Sequence, residues 1–183
     1  TISSGKLDLS GPDGAAMLLR LLYSSPERHY GFSPTPLPSP FMVGRVQVGD
    51  FKRLRAGCSP RGASVYSGSM GGQPVVVKFG VDIDTEVEVL KLLEGLKVER
   101  VPRVLAEVAP QTGQQPGMVI QPCGTHLRAA DAPDLIAQVV LDVAVILCKL
   151  AGAGILHRDV SGGNVVQHGG RGWLIDFQVG PRR

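Results

Sequence analysis

The sequence predicts an α+β fold built in two parts. Three observations carry this. Short runs of alternating apolar and polar residues, broken by glycine turns, fill the stretch from Val43 to Phe79. A helix-period segment follows at 83–96. After two more strand-like runs comes a long apolar segment at 133–151. Strands, one helix, strands and then a long helix is the order of an antiparallel sheet followed by a helical part. The chain has 183 residues, enough for one domain of ordinary size and hardly for two. Its 43% hydrophobic content excludes disorder by composition and supplies a packed core.

Residues 1–12 are polar and contain Gly and Ser, a frayed lead-in. Asp13 can cap a helix running to Ser24, with Leu18, Leu19, Leu21 and Leu22 as its apolar face. The five prolines of PERHYGFSPTPLPSPF, 26–41, forbid regular structure, so this stretch is a loop or an extended wrap. VGRVQVGDF, 43–51, alternates as a strand does. SVYSG, the GGQ turn and PVVVKF read as two strands of a hairpin. IDTEVEVLKLLEGL repeats apolar positions at Val87, Leu90 and Leu93, and at Val89, Leu92 and Leu96, which is a helix with Gly95 near its end. VPRVLAEVAP and GMVIQPCG are two strands around the polar QTGQQPG. The long helix runs from about Pro133 to Ala151, with Asp131 near its start and Gly152 and Gly154 near its stop. It is apolar on nearly every side and is expected to be packed all round. ILHRDV, a loop, NVVQH, a GGRG turn and WLIDF complete the order. The change of character between Gly124 and Asp131 marks the boundary between the two parts.

The net charge of +3 is small, and Lys and Arg are spread along the chain, with short pairs only at Lys52-Arg53 and Arg182-Arg183. No nucleic-acid surface is indicated. Cys58, Cys123 and Cys148 are odd in number, far apart and without metal-type spacing, so they read as reduced thiols of a cytoplasmic or nuclear protein. No charged-then-apolar signal segment is present, although the first residue, Thr1, leaves room for an original N-terminus upstream. The most apolar stretch, Leu135 to Leu150, contains Gln138 and Asp142 and is expected to fall short of a bilayer span, so no membrane partner is expected.

The chemistry concentrates in HRDVSGGN, 157–164, and LIDFQVG, 174–180. His157, Arg158, Asp159 and Asn164 keep the spacing H-R-D-x-x-x-x-N. Phosphoryl transfer needs a group that orients the attacking hydroxyl and ligands for the metal that neutralises phosphate charge. Asp159 suits the first task. Asn164 offers an amide oxygen, a hard ligand for Mg2+, and Asp176, twelve residues on, offers a carboxylate after the WLI run. The plainer alternative is that His157 and Asp159 cap a buried turn.

With these motifs the sequence resembles a protein kinase, and most closely the fungal-type protein kinase family. The helix and GFSPTP segment ahead of the strands, the compact RGASVY, and GILHRDVSGGNVV with LIDF at the end carry that resemblance, from about Gly14 to Gly180. It implies a kinase-like fold, an antiparallel N-terminal sheet lobe with one helix over 43–124, preceded by a helix and Pro-rich lead-in over 1–42. The beginning of a mainly helical C-terminal lobe would cover 125–183. It implies ATP and Mg2+ as cofactors and a protein Ser/Thr hydroxyl as acceptor. VVVK at 75–78 would supply the phosphate-gripping Lys78. Glu86, followed by Val89 and Leu90, would be its helix partner, with Glu88 second. Asp159 would be the base, and Asn164 and Asp176 the metal ligands. Val65 would cover the adenine, Ile120 would stand at the gatekeeper position, and backbone groups near Gln121 and Cys123 would meet the base. Of the phosphate-covering glycines only Gly57 and Gly62 remain, in a loop broken by Pro60. Taken singly, Lys78 also reads as a snorkelling strand-end lysine and Glu86 as an exposed helix charge.

Two departures bear on activity. Gln178 follows Asp-Phe where kinases usually have glycine, although in the fungal-type family that residue is often not glycine. The chain also stops at Arg183, three residues after Gly180, before the activation segment and helices of a full kinase, so the C-terminal lobe is expected to be incomplete. A partner chain is one candidate cover for the long helix. A small-molecule phosphotransferase of the aminoglycoside or choline type is an alternative reading, and Arg158 in place of the usual glycine of that group favours the protein-kinase side. A non-catalytic pseudokinase that binds nucleotide or a partner is a further alternative, favoured by the broken glycine loop.

Overall fold

Strand alternation in the first half of the chain leads to a sheet with two covered faces. In the computed structural model, which describes residues 37–55, 63–110, 115–128 and 130–177, the architecture is α+β. The expected helix at 13–24, most of the Pro-rich stretch, Gly57, Gly62 and Gln178 lie outside the described residues. The described residues all belong to one compact unit, 37–183.

Strands β1 (Phe41–Val43), β2 (Val46–Arg55), β3 (Ser64–Met70), β4 (Gln73–Phe79), β5 (Arg103–Val108) and β6 (Gly117–Gln121) form one antiparallel sheet in the order β1-β2-β3-β4-β6-β5. Register breaks in β2 and between Val104 and Ala106 are bulges, which curl the sheet. The run at 43–51 is not one strand. Gly44, at φ +59°, turns the chain between β1 and β2, a conformation that glycine adopts without the penalty of a Cβ. β1 begins at Phe41, directly after the last proline of the Pro-rich stretch.

Because side chains alternate along a strand, β4 feeds two cores. Val75, Val77 and Phe79 join Val48, Tyr66 and Val119 on one face. There Phe41, Phe51, Tyr66 and Phe79 stack or meet edge to face at centroid separations of 5.9–6.4 Å. Val76 and Lys78 turn to the other face. On it, Met118 and Ile120 meet helix α1 (Ile83–Gly95) through Ile83, Val87, Leu90 and Leu93. The same core takes in Ile146, Leu150, Leu174 and Phe177 from the second half.

That second half contains helix α2 (Pro133–Gly152), a short 3-10 turn at Gly162–Asn164, and a small sheet ordered β7-β8-β9. Its strands are β7 (Thr125–His126), β8 (Val165–His168) and β9 (Arg171–Leu174). The hairpin β8–β9 lies on α2 because of two residues. Gly172 has no side chain where a Cβ would stand 2.7 Å from the Val139 carbonyl oxygen. Asp142, 2% exposed, reaches out of α2 and accepts four hydrogen bonds. Arg171 donates through Nε at 2.9 Å and Nη2 at 2.7 Å, the Gly172 N–H at 2.8 Å, and Gln138 Nε2 at 3.1 Å. The two-pronged Arg171 contact, opposed by burial, holds the Asp142 carboxyl well below its ordinary range. The GGRG segment is therefore only half turn, since Arg171 and Gly172 already belong to β9.

Two expectations about α2 change. It is 20 residues long and, by length and composition alone, long and apolar enough to cross a membrane. Among the described residues it is also covered on one side only. Val139, Asp142, Val143, Ile146 and Leu150 are buried, while Val140 is 60% and Leu141 62% exposed.

Removing the Asp142 carboxylate leaves the buried end of the network without its acceptor. Asp142→Ala is expected to lose about 3 kcal/mol in urea unfolding, the low end for a buried pair because Arg171 is half exposed. A depressed folded pKa gives stability that is present above the ordinary carboxyl value of 3.8 and lost as pH falls through the folded one. Wild type should therefore lose stability more steeply below about pH 4 than Asp142→Asn does. An equal slope in both would show that this carboxylate does not set the acid limb.

Candidate functional site

The site begins with Lys78 on the α1 side of β4, where it pairs in register with Val65 of β3 and Met118 of β6. A lysine at this place needs countercharge, because its ammonium is nearly out of water. Helix periodicity puts Glu86 on the same buried face of α1 as Ile83, Val87 and Leu90, whereas Glu88 is turned to solvent. Lys78 Nζ donates to Glu86 Oε2 at 2.5 Å and to Asp176 Oδ1 at 2.6 Å, a contact spanning 98 residues of chain. The side chains of Lys78, Glu86 and Asp176 are only 10%, 9% and 15% exposed. The Phe177 N–H also donates to the Glu86 carboxylate.

Burial by itself would lower the Lys78 pKa, but the two carboxylates more than offset it, so the ammonium is held above its ordinary range. Burial pushes the Glu86 carboxyl up, with Lys78 pulling it back and Asp176 adding repulsion. Lys78 thus bridges two carboxylates in a poorly solvated place.

Residues 157–164 lie against this cluster. His157 is buried, and its Nε2–H donates to the Ile175 carbonyl at 2.9 Å. Its Nδ1 accepts the Asp159 N–H at 3.4 Å, and its ring meets Phe177 edge-on at 4.6 Å. His157 thus ties the two motifs together. Asn164, 5% exposed, donates both amide protons to Asp159, at 2.9 Å to the carbonyl and 2.8 Å to Oδ2. This fixes the amide orientation and turns its oxygen away from Asp159. The Ile175 N–H donates to the Asn164 carbonyl at 2.9 Å, and Val165 pairs with Leu174, so the open end of the β8–β9 hairpin carries Asn164 and Asp176 on neighbouring ends. Arg158 and Asp176 sit at φ +70° and +65°. This left-handed backbone costs about 1–2 kcal/mol per residue away from glycine and here flanks the cluster. An open cavity of about 500 Å3 is lined by His126, Asp159, Ser161, Gly162, Gly163 and Asn164.

Of the other residues singled out, Val65 is half-buried on the Lys78 face. Ile120 is buried in the α1 core and pairs with Val76 and Val104. The Gln121 amide donates to the Pro74 carbonyl at 3.3 Å. Cys123 is half-buried, and burial pushes its thiol up. The sequence does not single out Val76 or Val166. Val76 shares the face of Lys78, two residues back along β4, which strand period alone makes visible. Val166 lies under Gly124, where a Cβ would come within 2.6 Å of Val166 Cγ2. No local signal in the sequence marks that approach.

Among the described residues no group of three or more His, Cys, Asp or Glu side chains is placed to hold a metal ion. The donor set on hand is the Asn164 amide oxygen and the Asp176 carboxylate. Such a pair fits a hard ion that keeps waters and takes oxygens from its substrate, as Mg2+ does, rather than one needing a full protein cage. No protein-family model matches the chain, and no curated protein matches it.

Lys78→Met would take from the buried Glu86 carboxylate the cation that pulls its pKa back. The Glu86 pKa would then rise further above its unfolded value, giving stability that is present at low pH and lost as pH rises. The variant is expected to fall about 3 kcal/mol below wild type at pH 8 and to recover part of that at pH 5, read from urea midpoints. A deficit that does not change with pH would contradict the charge argument.

Proposed function

We propose that this chain is a protein-kinase-like domain that binds ATP with Mg2+ and transfers the γ-phosphoryl group to a protein Ser or Thr hydroxyl. The observation that supports this most is the Lys78 ammonium held between Glu86 and Asp176, next to the Asp159–Asn164 pair. A preformed cation on a central strand, a carboxylate that orients it, and an oxygen donor set for a hard metal are the parts phosphoryl transfer needs.

In this reading Glu86 aims Lys78 at the nucleotide phosphates. Val65, Val76, Ile120 and Val166 offer apolar faces to the adenine, with backbone groups near Gln121 and Cys123 at its edge. Mg2+, held by Asn164 and Asp176, would neutralise charge on the phosphate oxygens. Asp159, exposed at the cavity and steadied by Asn164, accepts the proton of the acceptor hydroxyl. The hydroxyl oxygen bonds to the γ-phosphorus, the bond from that phosphorus to the bridging oxygen breaks, and ADP leaves.

ATP with Mg2+ at one hundred times its Kd is expected to stabilise the fold by about 2.7 kcal/mol, seen as a rise in Tm. Lys78→Ala and Asp176→Ala should abolish that rise. Asp159→Asn should keep it while phosphate transfer falls about 10²–10⁴-fold. No rise for the wild-type chain would sink the proposal.

A further inference from the structure

We propose that Asp142 and Arg100 are positioning residues for Asp176. They hold the outer edge of β9, so that the carboxylate stays aimed at Mg2+ once a nucleotide draws Lys78 away from it. This deepens the phosphotransferase reading above and rests on it. β9 lies at one side of its three-stranded sheet. Alternate N–H groups of such a strand turn away from the partner strand. At Ile175 the N–H turns inward, to the Asn164 carbonyl. At Gly172 and Leu174 it turns outward, and both residues are buried, so each N–H needs an acceptor from elsewhere in the fold.

Two elements supply these acceptors. Asp142 of α2 accepts from the Gly172 N–H at 2.8 Å. The Arg100 carbonyl, in the segment between α1 and β5, accepts from the Leu174 N–H at 3.2 Å. Arg100 stands at φ +59°, a left-handed conformation that a residue with a Cβ adopts at a cost. Its Nη2 lies 3.8 Å from Asp142 Oδ1, so the two residues also attract one another. The strand that leads to Asp176 is thus pinned at 172 and 174 from two directions, and Arg171 adds two contacts to the same carboxylate.

Without nucleotide, Lys78 Nζ holds the Asp176 side chain directly, at 2.6 Å. In the proposed complex that ammonium turns to phosphate oxygens, and Asp176 has to meet the metal with its lysine contact weakened. Its aim then depends on the pinned backbone at 174 and on Ile175, whose carbonyl accepts from His157. Misplacement of a reacting or ligating group by about 1 Å is enough to cost a site most of its efficiency. A buried ion pair such as Asp142–Arg171 adds little stability that packed apolar residues would not supply. Fixed geometry, by contrast, is what a carboxylate at a metal requires of its surroundings.

The test uses the whole chain with ATP and Mg2+, read by Tm and by the emission of Trp173, the single tryptophan of the chain, which lies on β9. Asp142→Ala cuts one tie. Arg100→Val cuts the other, because a β-branched residue resists positive φ, while Arg100→Gly keeps that backbone conformation without strain. At saturating ATP, the free Mg2+ that gives half of the metal-dependent rise in Tm should increase about tenfold in Asp142→Ala and in Arg100→Val. Arg100→Gly should stay near wild type. At saturating Mg2+ the half-point for ATP should be unchanged in all three, and Trp173 emission should move to longer wavelength in the first two. If Asp142→Ala does not fold, Asp142→Asn, which keeps an oxygen for the Gly172 N–H, takes its place, with a smaller rise in the same direction. Lowered Tm values with Mg2+ half-points equal to wild type would mark a purely structural role and overturn the proposal. So would a raised half-point with Trp173 emission unchanged. Absence of the ATP-induced rise in wild type would instead remove the phosphotransferase reading, and this proposal with it.

Discussion

The Lys78 ammonium, held between Glu86 and Asp176, is the contact on which the functional region depends. It joins the middle of the large sheet to α1 and to the segment after β9, parts of the chain as much as 98 residues apart. A buried lysine without partners would lose its charge or come out to water. Two carboxylates keep it charged. Such a cluster is a poor device for stability alone, since well-packed apolar residues would do as well or better.

A second carboxylate shows the contrast. Asp142 is as buried as any charged residue described, yet every donor it meets belongs to the protein. It balances Arg171 and binds the β8–β9 hairpin to α2, and Gly172 lets the backbones close. That attachment sets where the hairpin's open end lies, and with it the positions of Asn164 and Asp176. His157 then closes the loop through Ile175 and Phe177. The site is thus built on a satisfied structural network.

Much of the fold was legible because the pattern of apolar residues is regular where strands and helices form. The period-2 runs of β3 and β4 and the 3.6-residue period of α1 appear within a residue or two of their observed limits, whereas β6 ends three residues before the expected GMVIQPCG run does. Gly44 was harder to place, because a glycine inside an alternating run looks the same whether the strand continues or turns. β7 has two residues and no period to read; only its pairing with β8 defines it. The one-sided burial of α2 could not be seen in a segment that is apolar all round.

For the site, the order Lys78, Glu86, Asp159, Asn164 and Asp176 stands in the sequence as residue types with suggestive spacing. The kinase resemblance ranks Glu86 ahead of Glu88, and in the fold Glu86 is buried while Glu88 is exposed. What the sequence by itself determined was this inventory, together with the strand and helix periods that carry it, since both depend on local geometry. Only the tertiary structure decided that Lys78 meets two carboxylates at once, that Asn164 turns its nitrogens to Asp159, and that Asp142 grips Arg171. Those contacts join residues brought together by sheet curl, strand order and the packing of a hairpin on a helix, and no local period in the chain encodes a distance across the fold.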